Sequence, residues 1–410
     1  MKILVVSQYF WPESFRINDL VKSLGEKGEE LDVLTGKPNY PEGKIFAGYH
    51  LWGCQKQQWG NAAVFRLPLI PRGERSAWRL TCNYLSFIVS GVVLGPWLLR
   101  GRSYDAVFVY APSPLLQAIP AILIGRLKGC PVVVWVQDLW PESLEATGYI
   151  HNKWVLGFAE RVVRFIYRHT DMILVQSKAF EERVSVLAHG KPIRYYPNSV
   201  EAMFCNPPDI MLPEVPALDD GFSVVFAGNV GVAQAVEVIV EVATLLQNYT
   251  DIRFVIFGQG SRWDWMCQEA KVRGLTNLHF PGRFPIETMP GLMNKASALL
   301  VTLTDKPIFA STVPNKIQAY MSAGRPILAC LNGEGARLVR EAGAGLTVPA
   351  EDAKALAQAV IQLYEMTPEA RNQLGFNGQQ YYKNNFDHDA LVEQLICQLR
   401  EVSQLHRGNR

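Results

Sequence analysis

Along the chain, short apolar runs rich in β-branched residues alternate with longer amphipathic ones. Near-continuous apolar runs predict strands over 3–6, 31–35, 64–67, 106–110, 132–136, 172–176 and 193–196. Helical spacing predicts helices over 14–27, 115–128, 154–168 and 179–187. A proline-rich break over 195–208 reads as a linker. The alternation then resumes, with strands expected over 223–226, 253–257, 278–280, 298–302 and 327–330. Helices are expected over 234–247, 262–273, 286–294, 315–323, 336–341, 353–365 and 368–382. Strands that are apolar throughout are buried on both faces, so the pattern predicts α/β architecture with two Rossmann-like, doubly wound parallel sheets. The domains are expected over 1–200 and 201–385. A last helix within 386–410 carries Leu391, Val392, Leu395, Ile396 and Leu399 on one face and is expected to pack back across the domains. Two such domains facing across a cleft would hold ligands at the carboxyl ends of their strands.

One run departs from the pattern. Residues 80–99 (LTCNYLSFIVSGVVLGPWLL) contain no charge and are long enough to cross a bilayer. Arg72, Arg75 and Arg79 precede the run, and Arg100 and Arg102 follow it. Asn83, Ser86, Ser90, Gly91 and Gly95-Pro96 lower its hydrophobicity, and a span would cut the first domain in two. The expectation is therefore a buried or membrane-surface helix, whose basic flanks would suit an anionic leaflet.

A net charge of +2 over 410 residues argues against nucleic acid as a partner. The charge is divided unevenly, +7 over 1–200 and −5 over 201–410, which fits an N-terminal surface that meets phosphates or anionic lipid. The seven cysteines are scattered and form no CxxC pair, as expected of small core residues in a reduced, cytoplasmic protein. Met1 and Lys2 run directly into the first strand, so no signal peptide is expected. No metal-ligand cluster is evident, and no cofactor is implied.

The most informative run is STVPNKIQAYMSAGRP, 311–326. It opens as a polar loop from Ser311. Pro314 presets φ, Asn315 is a capping type, and Gly324 suits the left-handed position that ends a helix. The N–H groups of such a helix start, with Lys316 in the first turn, make a site for phosphate. A lysine there opposes the helix dipole, so its placement points to function over stability. Glycine-bearing strand ends recur in the same half. Gly228, Asn229 and Gly231 precede a helix expected from Gln234; Gly258, Gly260 and Arg262 close the next strand; Arg283 follows the third. Together they suggest a nucleotide-diphosphate site.

The first strand ends without a Gly-x-Gly-x-x-Gly fingerprint, which weakens a dehydrogenase reading. It ends instead in SQYFWPE with Phe10 and Glu13, Arg16 following; KPNYPEG supplies Asn39 and Tyr40, and QDLWPES supplies Gln137 and Trp140. Three polar–aromatic loops at strand ends make a carbohydrate-type acceptor wall, although each also has ordinary turn chemistry. Asp138 and Glu142 are the spare carboxylates, with helix capping as their structural alternative.

The motifs FAGNVG, FVIFGQG, FPGRFP, STVPNKIQAYMSAGRPI and NGEGARLVREAGAGLTVPAED resemble, in order and spacing, the retaining glycosyltransferases of family four with the GT-B fold. With the three N-terminal loops they are similar to the WbuB-like or WcaI-like bacterial subgroup. The resemblance covers nearly the whole chain. It implies a nucleotide-diphospho-sugar donor in the second domain, with Glu334 among its contacts, and no obligatory metal. It further implies a polyprenyl-diphosphate-linked saccharide acceptor in the first domain, in synthesis of O antigen, capsule or exopolysaccharide. A UDP-linked N-acetylated amino sugar is the implied donor, and the inner face of the cytoplasmic membrane the implied place.

The chain also departs from the family. The two glutamates usual eight positions apart are Ser311 and Ala319 here; Asn229 and Gln234 stand where relatives supply Arg and Lys, and Gln137 where a histidine is usual. Charge compensation is therefore expected from Lys316, with Arg262 or Arg283 and helix-end N–H groups. A nucleotide-sugar epimerase and a non-catalytic sugar-nucleotide-binding scaffold are the alternative readings.

Overall fold

The computed structural model describes residues 1–73, 76–146 and 152–408, which leaves Arg75 outside the described residues. The chain divides into two units, Met1–Pro197 with Asp389–Arg410, and Asn198–His388.

The first unit is built on an eight-stranded sheet. Its strands are β1 (Lys2–Val6), β2 (Glu30–Gly36), β3 (Gln55–Trp59), β4 (Ala62–Leu67), β5 (Ala106–Ala111), β6 (Val132–Val136), β7 (Met172–Val175) and β8 (Ile193–Tyr195). Their order is β3-β4-β2-β1-β5-β6-β7-β8. All neighbours pair in parallel except β3, which runs antiparallel to β4. The sequence QKQQW of β3 carries no apolar run, so hydrophobic patterning missed it; an edge strand faces solvent and tolerates such residues. The terminal helix His388–Gly408 buries Leu391, Leu395 and Leu399 in the core formed by β1, β5, β6 and the helix Ile17–Glu26. An ion pair of Arg400 with Glu29 at 2.7 Å holds it there.

The apolar run of residues 80–99 lies in a helix, Ala77–Leu98, with one face fixed to this unit. A Cβ on Gly91 would stand 2.7 Å from Pro120, and one on Gly95 3.2 Å from Ile124, so small residues let the helices approach. Buried Asn83 accepts from Gln8 Nε2 at 2.7 Å and donates to Ile70 O at 2.6 Å.

The second unit carries β9 (Phe222–Ala227), β10 (Ile252–Phe257), β11 (Leu278–Gly282), β12 (Ala298–Thr302), β13 (Ile327–Cys330) and β14 (Gly345–Val348). Their order is β11-β10-β9-β12-β13-β14, all parallel. The short β14 had no counterpart in the sequence reading. The helix expected from Gln234 instead begins at Val236, because Ala235 takes a left-handed φ of +44°. The order reverses beside β1 in one sheet and beside β9 in the other, where doubly wound sheets place ligands. The cysteines correct their expectation: only Cys130 and Cys330 are buried, whereas Cys205 and Cys397 are exposed.

Candidate functional site

In the second unit the glycine-bearing strand ends are joined by backbone hydrogen bonds. Gly228 N–H donates to Phe257 O at 2.8 Å, Gly258 N–H to Gly282 O at 2.9 Å, and Arg262 N–H to Val230 O at 3.0 Å. Segments this close leave no room for side chains. A Cβ on Gly258 would stand 1.9 Å from Gly228 O, and one on Gly260 2.3 Å from Val230 O. Gly228 and Gly258 also hold φ of +132° and +135°, a region that side chains exclude. Gly231 is extended and lies against Asn229, whose Nδ2 a Cβ would meet at 2.7 Å.

Lys316 stands against Gly228. Its helix, Asn315–Ala323, starts after Pro314 and stops at Gly324, which has φ +66°. The Tyr320 hydroxyl ties this helix to β9 by accepting from Ala227 N–H at 3.0 Å. A Cβ on Gly228 would lie 2.8 Å from Lys316 Cε, so glycine makes space for the lysine stem. Lys316 Nζ lies 3.5 Å from the Phe226 ring centroid and donates to Gln234 Oε1 at 3.1 Å. The residue as a whole is half-buried, but the shielding of its ammonium end pushes its pKa down from 10.5 to about 7. Among the described residues it forms no ion pair. A shielded cation without a carboxylate, beside a glycine turn and a helix N-terminus, suits an anion.

Several expected donor contacts have other partners. Asn315 is exposed and does not cap; its Oδ1 accepts from Asn198 Nδ2 at 3.1 Å, while Pro314 occupies the cap position. Arg262 pairs with Glu237 and lies 4.2 Å over the Trp265 ring, so its charge is already compensated. Glu334 is buried and bound by Arg337 through two hydrogen bonds of 2.8 Å, which neutralise it. Ser311 closes a short helix, Pro307–Ser311, in place of the expected polar loop. Arg283 is exposed just past β11. Sequence reasoning missed Gln318. It is buried beside Ala319, and among the described residues neither side-chain polar atom has a partner. Its signal was a polar residue on an otherwise apolar helix face.

In the first unit the loops after β1 and β2 are joined by Glu13. Its carboxylate accepts from Asn39 N–H at 2.8 Å, Tyr40 N–H at 2.7 Å and Phe10 N–H at 3.3 Å. Burial nevertheless pushes its pKa up to about 7, against the pull of those donors. Phe10 and Asn39 are wholly buried, which corrects their expected role as acceptor contacts: Phe10 belongs to the core, and Asn39 Oδ1 accepts from Arg72 N–H at 3.1 Å. What the loops present is Tyr40, with Arg72 4.8 Å over its ring and Phe15 at 5.2 Å; Phe15 stacks on Tyr9 at 4.9 Å. Trp11 lines an open cavity of about 500 Å³ with Tyr49 and the glutamines of β3. Arg16 is half-buried at the start of the helix Ile17–Glu26.

At the end of β6, burial raises the Asp138 carboxyl to about 6. Gln137 Nε2 and, at the end of neighbouring β7, Gln176 Oε1 are buried without a partner among the described residues. Trp140 is nearly buried, its indole N–H donating to Ser113 Oγ at 2.9 Å. Glu142 pairs with Arg183 at 3.8 Å, so its carboxylate is partly engaged. Among the described residues no group of three or more His, Cys, Asp or Glu is placed to hold a metal ion.

Residues 14–198 match the family described as "Glycosyl transferase 4-like domain", and residues 221–366 the family described as "Glycosyl transferases group 1". WcaI of Escherichia coli (strain K12), assigned as a colanic acid biosynthesis glycosyl transferase, is 26% identical over 348 residues, 79% of this chain and 82% of that protein. WbjE of Pseudomonas aeruginosa, assigned as a glycosyltransferase, is 27% identical over 275 residues, 65% of this chain and 68% of that one. Among solved structures, sucrose-phosphate synthase from Thermosynechococcus elongatus superposes with a TM-score of 0.74 at 16% identity, covering 98% of both chains. HepE of Anabaena in complex with UDP gives 0.68 at 14% identity, over 98% of this chain and 100% of that one. At such identities the likeness concerns the fold.

Proposed function

We propose that this chain, a glycosyltransferase with two parallel-sheet α/β domains of the GT-B type, moves a sugar from a nucleotide-diphospho-sugar to a lipid-linked saccharide with retention of configuration. The observation that carries the donor half is Lys316, a shielded cation against Gly228 at a helix start. When the glycosidic bond opens, the leaving diphosphate gains negative charge. Lys316 and the preorganised N–H groups of the helix start stabilise that charge as it develops. The acceptor hydroxyl attacks the same face of the anomeric carbon. Its oxygen forms the new bond, the bond to the phosphate oxygen breaks, and that oxygen takes the acceptor proton, so no separate base is required. In this reading Asp138, at the end of β6, orients an acceptor hydroxyl, and the Tyr40–Arg72 pair offers a face for a sugar ring.

The two curated relatives belong by assignment to glycosyl transfer, one of them in polysaccharide synthesis, and HepE was solved with UDP. The UDP of HepE supports a UDP-linked donor; our reading adds an N-acetylated amino sugar as the group moved and an acceptor carried on a polyprenyl diphosphate at the inner face of the cytoplasmic membrane. A panel of nucleotide sugars assayed against a membrane lipid extract tests this. The expected result is a product from one UDP-linked N-acetylated sugar that keeps the donor's anomeric configuration, read by NMR. Conversion of the donor without acceptor would instead identify an epimerase, and donor binding without turnover a scaffold.

A further inference from the structure

Among the described residues, one face of the helix Ala77–Leu98 has no protein partner. Trp78, Leu85, Val89, Val93 and Trp97 all point outward, the two tryptophans 74% and 66% exposed. At 1.5 Å per residue this stripe runs ~28 Å along the helix, with an indole near each end. The opposite face is fixed by Asn83, Gly91 and Gly95. Insertion across a bilayer would strip Asn83 of its bonds, so the helix lies along the surface of its unit and does not span.

The helix Ala118–Lys128 packs beside it, and Lys153–Arg168 packs beside that one in turn. Trp154 and Phe158 on the third helix are 85% and 65% exposed. The three helices carry Arg79, Arg126, Lys128, Lys153, Arg161, Arg164 and Arg168 against one carboxylate, Glu160. This concentration of positive charge exceeds the net +2 of the whole chain. Two copies meeting through this face would place like charges together, which disfavours self-association. An anionic leaflet satisfies both features: indoles settle at the headgroup level, the aliphatic stripe enters the acyl boundary, and arginines meet lipid phosphates.

We propose that this three-helix face, with Ala77–Leu98 lying flat as its anchor, docks the first unit on an anionic membrane leaflet. The proposal rests on the lipid-linked acceptor of the preceding reading and is separable from it by experiment. The full chain is sedimented with vesicles of phosphatidylethanolamine and phosphatidylglycerol, and with phosphatidylcholine alone. Binding is expected on the anionic vesicles and should weaken as salt rises. A Val89→Asp/Val93→Asp double variant, altered only at outward positions, should lose at least about tenfold in partitioning. Arg126→Gln/Arg161→Gln should weaken binding and flatten its salt dependence. Thermal unfolding of both variants should match the wild type. No binding to anionic vesicles, or equal binding by the variants, would overturn the proposal. So would a wild-type dimer in sedimentation velocity that the aspartates dissociate, which would assign the face to a second copy. Transfer to a water-soluble short-chain acceptor is measured in parallel and should survive the aspartates. Its absence from wild type and variants alike would remove the transfer reading and leave the docking result standing.

Discussion

Lys316 rests on the ring of Phe226, its Nζ 3.5 Å from the ring centroid. The contact joins the first turn of the helix Asn315–Ala323 to the end of β9, beside the Gly228 turn. A ring face and the Gln234 amide are weak replacements for a carboxylate or water. The site therefore keeps a poorly stabilised cation, as a site for an anion would.

Removing that cation should separate activity from stability. Lys316→Ala is expected to lower transfer at least about tenfold, equivalent to ~1.4 kcal/mol, without unfolding the protein. Lys316→Met, which keeps the stem and deletes the charge, should be similarly impaired yet more stable by roughly 1–3 kcal/mol, because a shielded ammonium without a partnering carboxylate is gone. Initial rates and thermal melts decide both. Unchanged turnover would take the lysine out of the donor site.

The depressed pKa of Lys316, about 7, gives a pH dependence of definite sign. If the charged form binds diphosphate as proposed, kcat/KM for the donor should fall as pH rises through about 7, and Lys316→Arg should shift or remove that fall. Stability should move the other way. Between about 7 and the ordinary lysine value of 10.5 the unfolded chain binds the extra proton, so this group's contribution to stability rises with pH over that window. A donor profile that is flat from pH 6 to about 9 would contradict the assignment.

Glu13 is expected to hold two loops in place. Glu13→Ala leaves the N–H groups of Phe10, Asn39 and Tyr40 unmet and should cost about 3 kcal/mol in urea unfolding. Amide hydrogen exchange should accelerate at Asn39 and Tyr40. Burial raises the folded pKa of Glu13 to about 7, above its ordinary 4.5. Its contribution is therefore fully present below the ordinary value and is lost as pH rises through about 7, a slope that Glu13→Gln should reduce. Unaltered exchange at both amides would mean that the loops are held elsewhere.

The strands and helices were legible because their signals are local. The helix Asn315–Ala323 was readable to its last residue, since a proline before it and a glycine after it act on their own backbone. The continuous apolar runs of β5, β6 and β9 gave away a doubly wound sheet in the same way. QKQQW escaped because an edge strand needs only one partner, β4, and no apolar run. The role of each site residue was of another kind. Arg262 looked as free as Lys316 until Glu237, 25 positions away in sequence, was found bound to it. Phe10 and Asn39 looked like loop residues facing a ligand, and tertiary packing buried them. Sequence alone thus determined where the chain turns, which segments are apolar on two sides, and which glycines free the backbone. Only the tertiary structure decided which charges are compensated, because a side chain's partner is set by long-range packing that local periodicity does not encode. By that test Lys316 has no partnering carboxylate among the described residues, whereas Glu334 is held by Arg337.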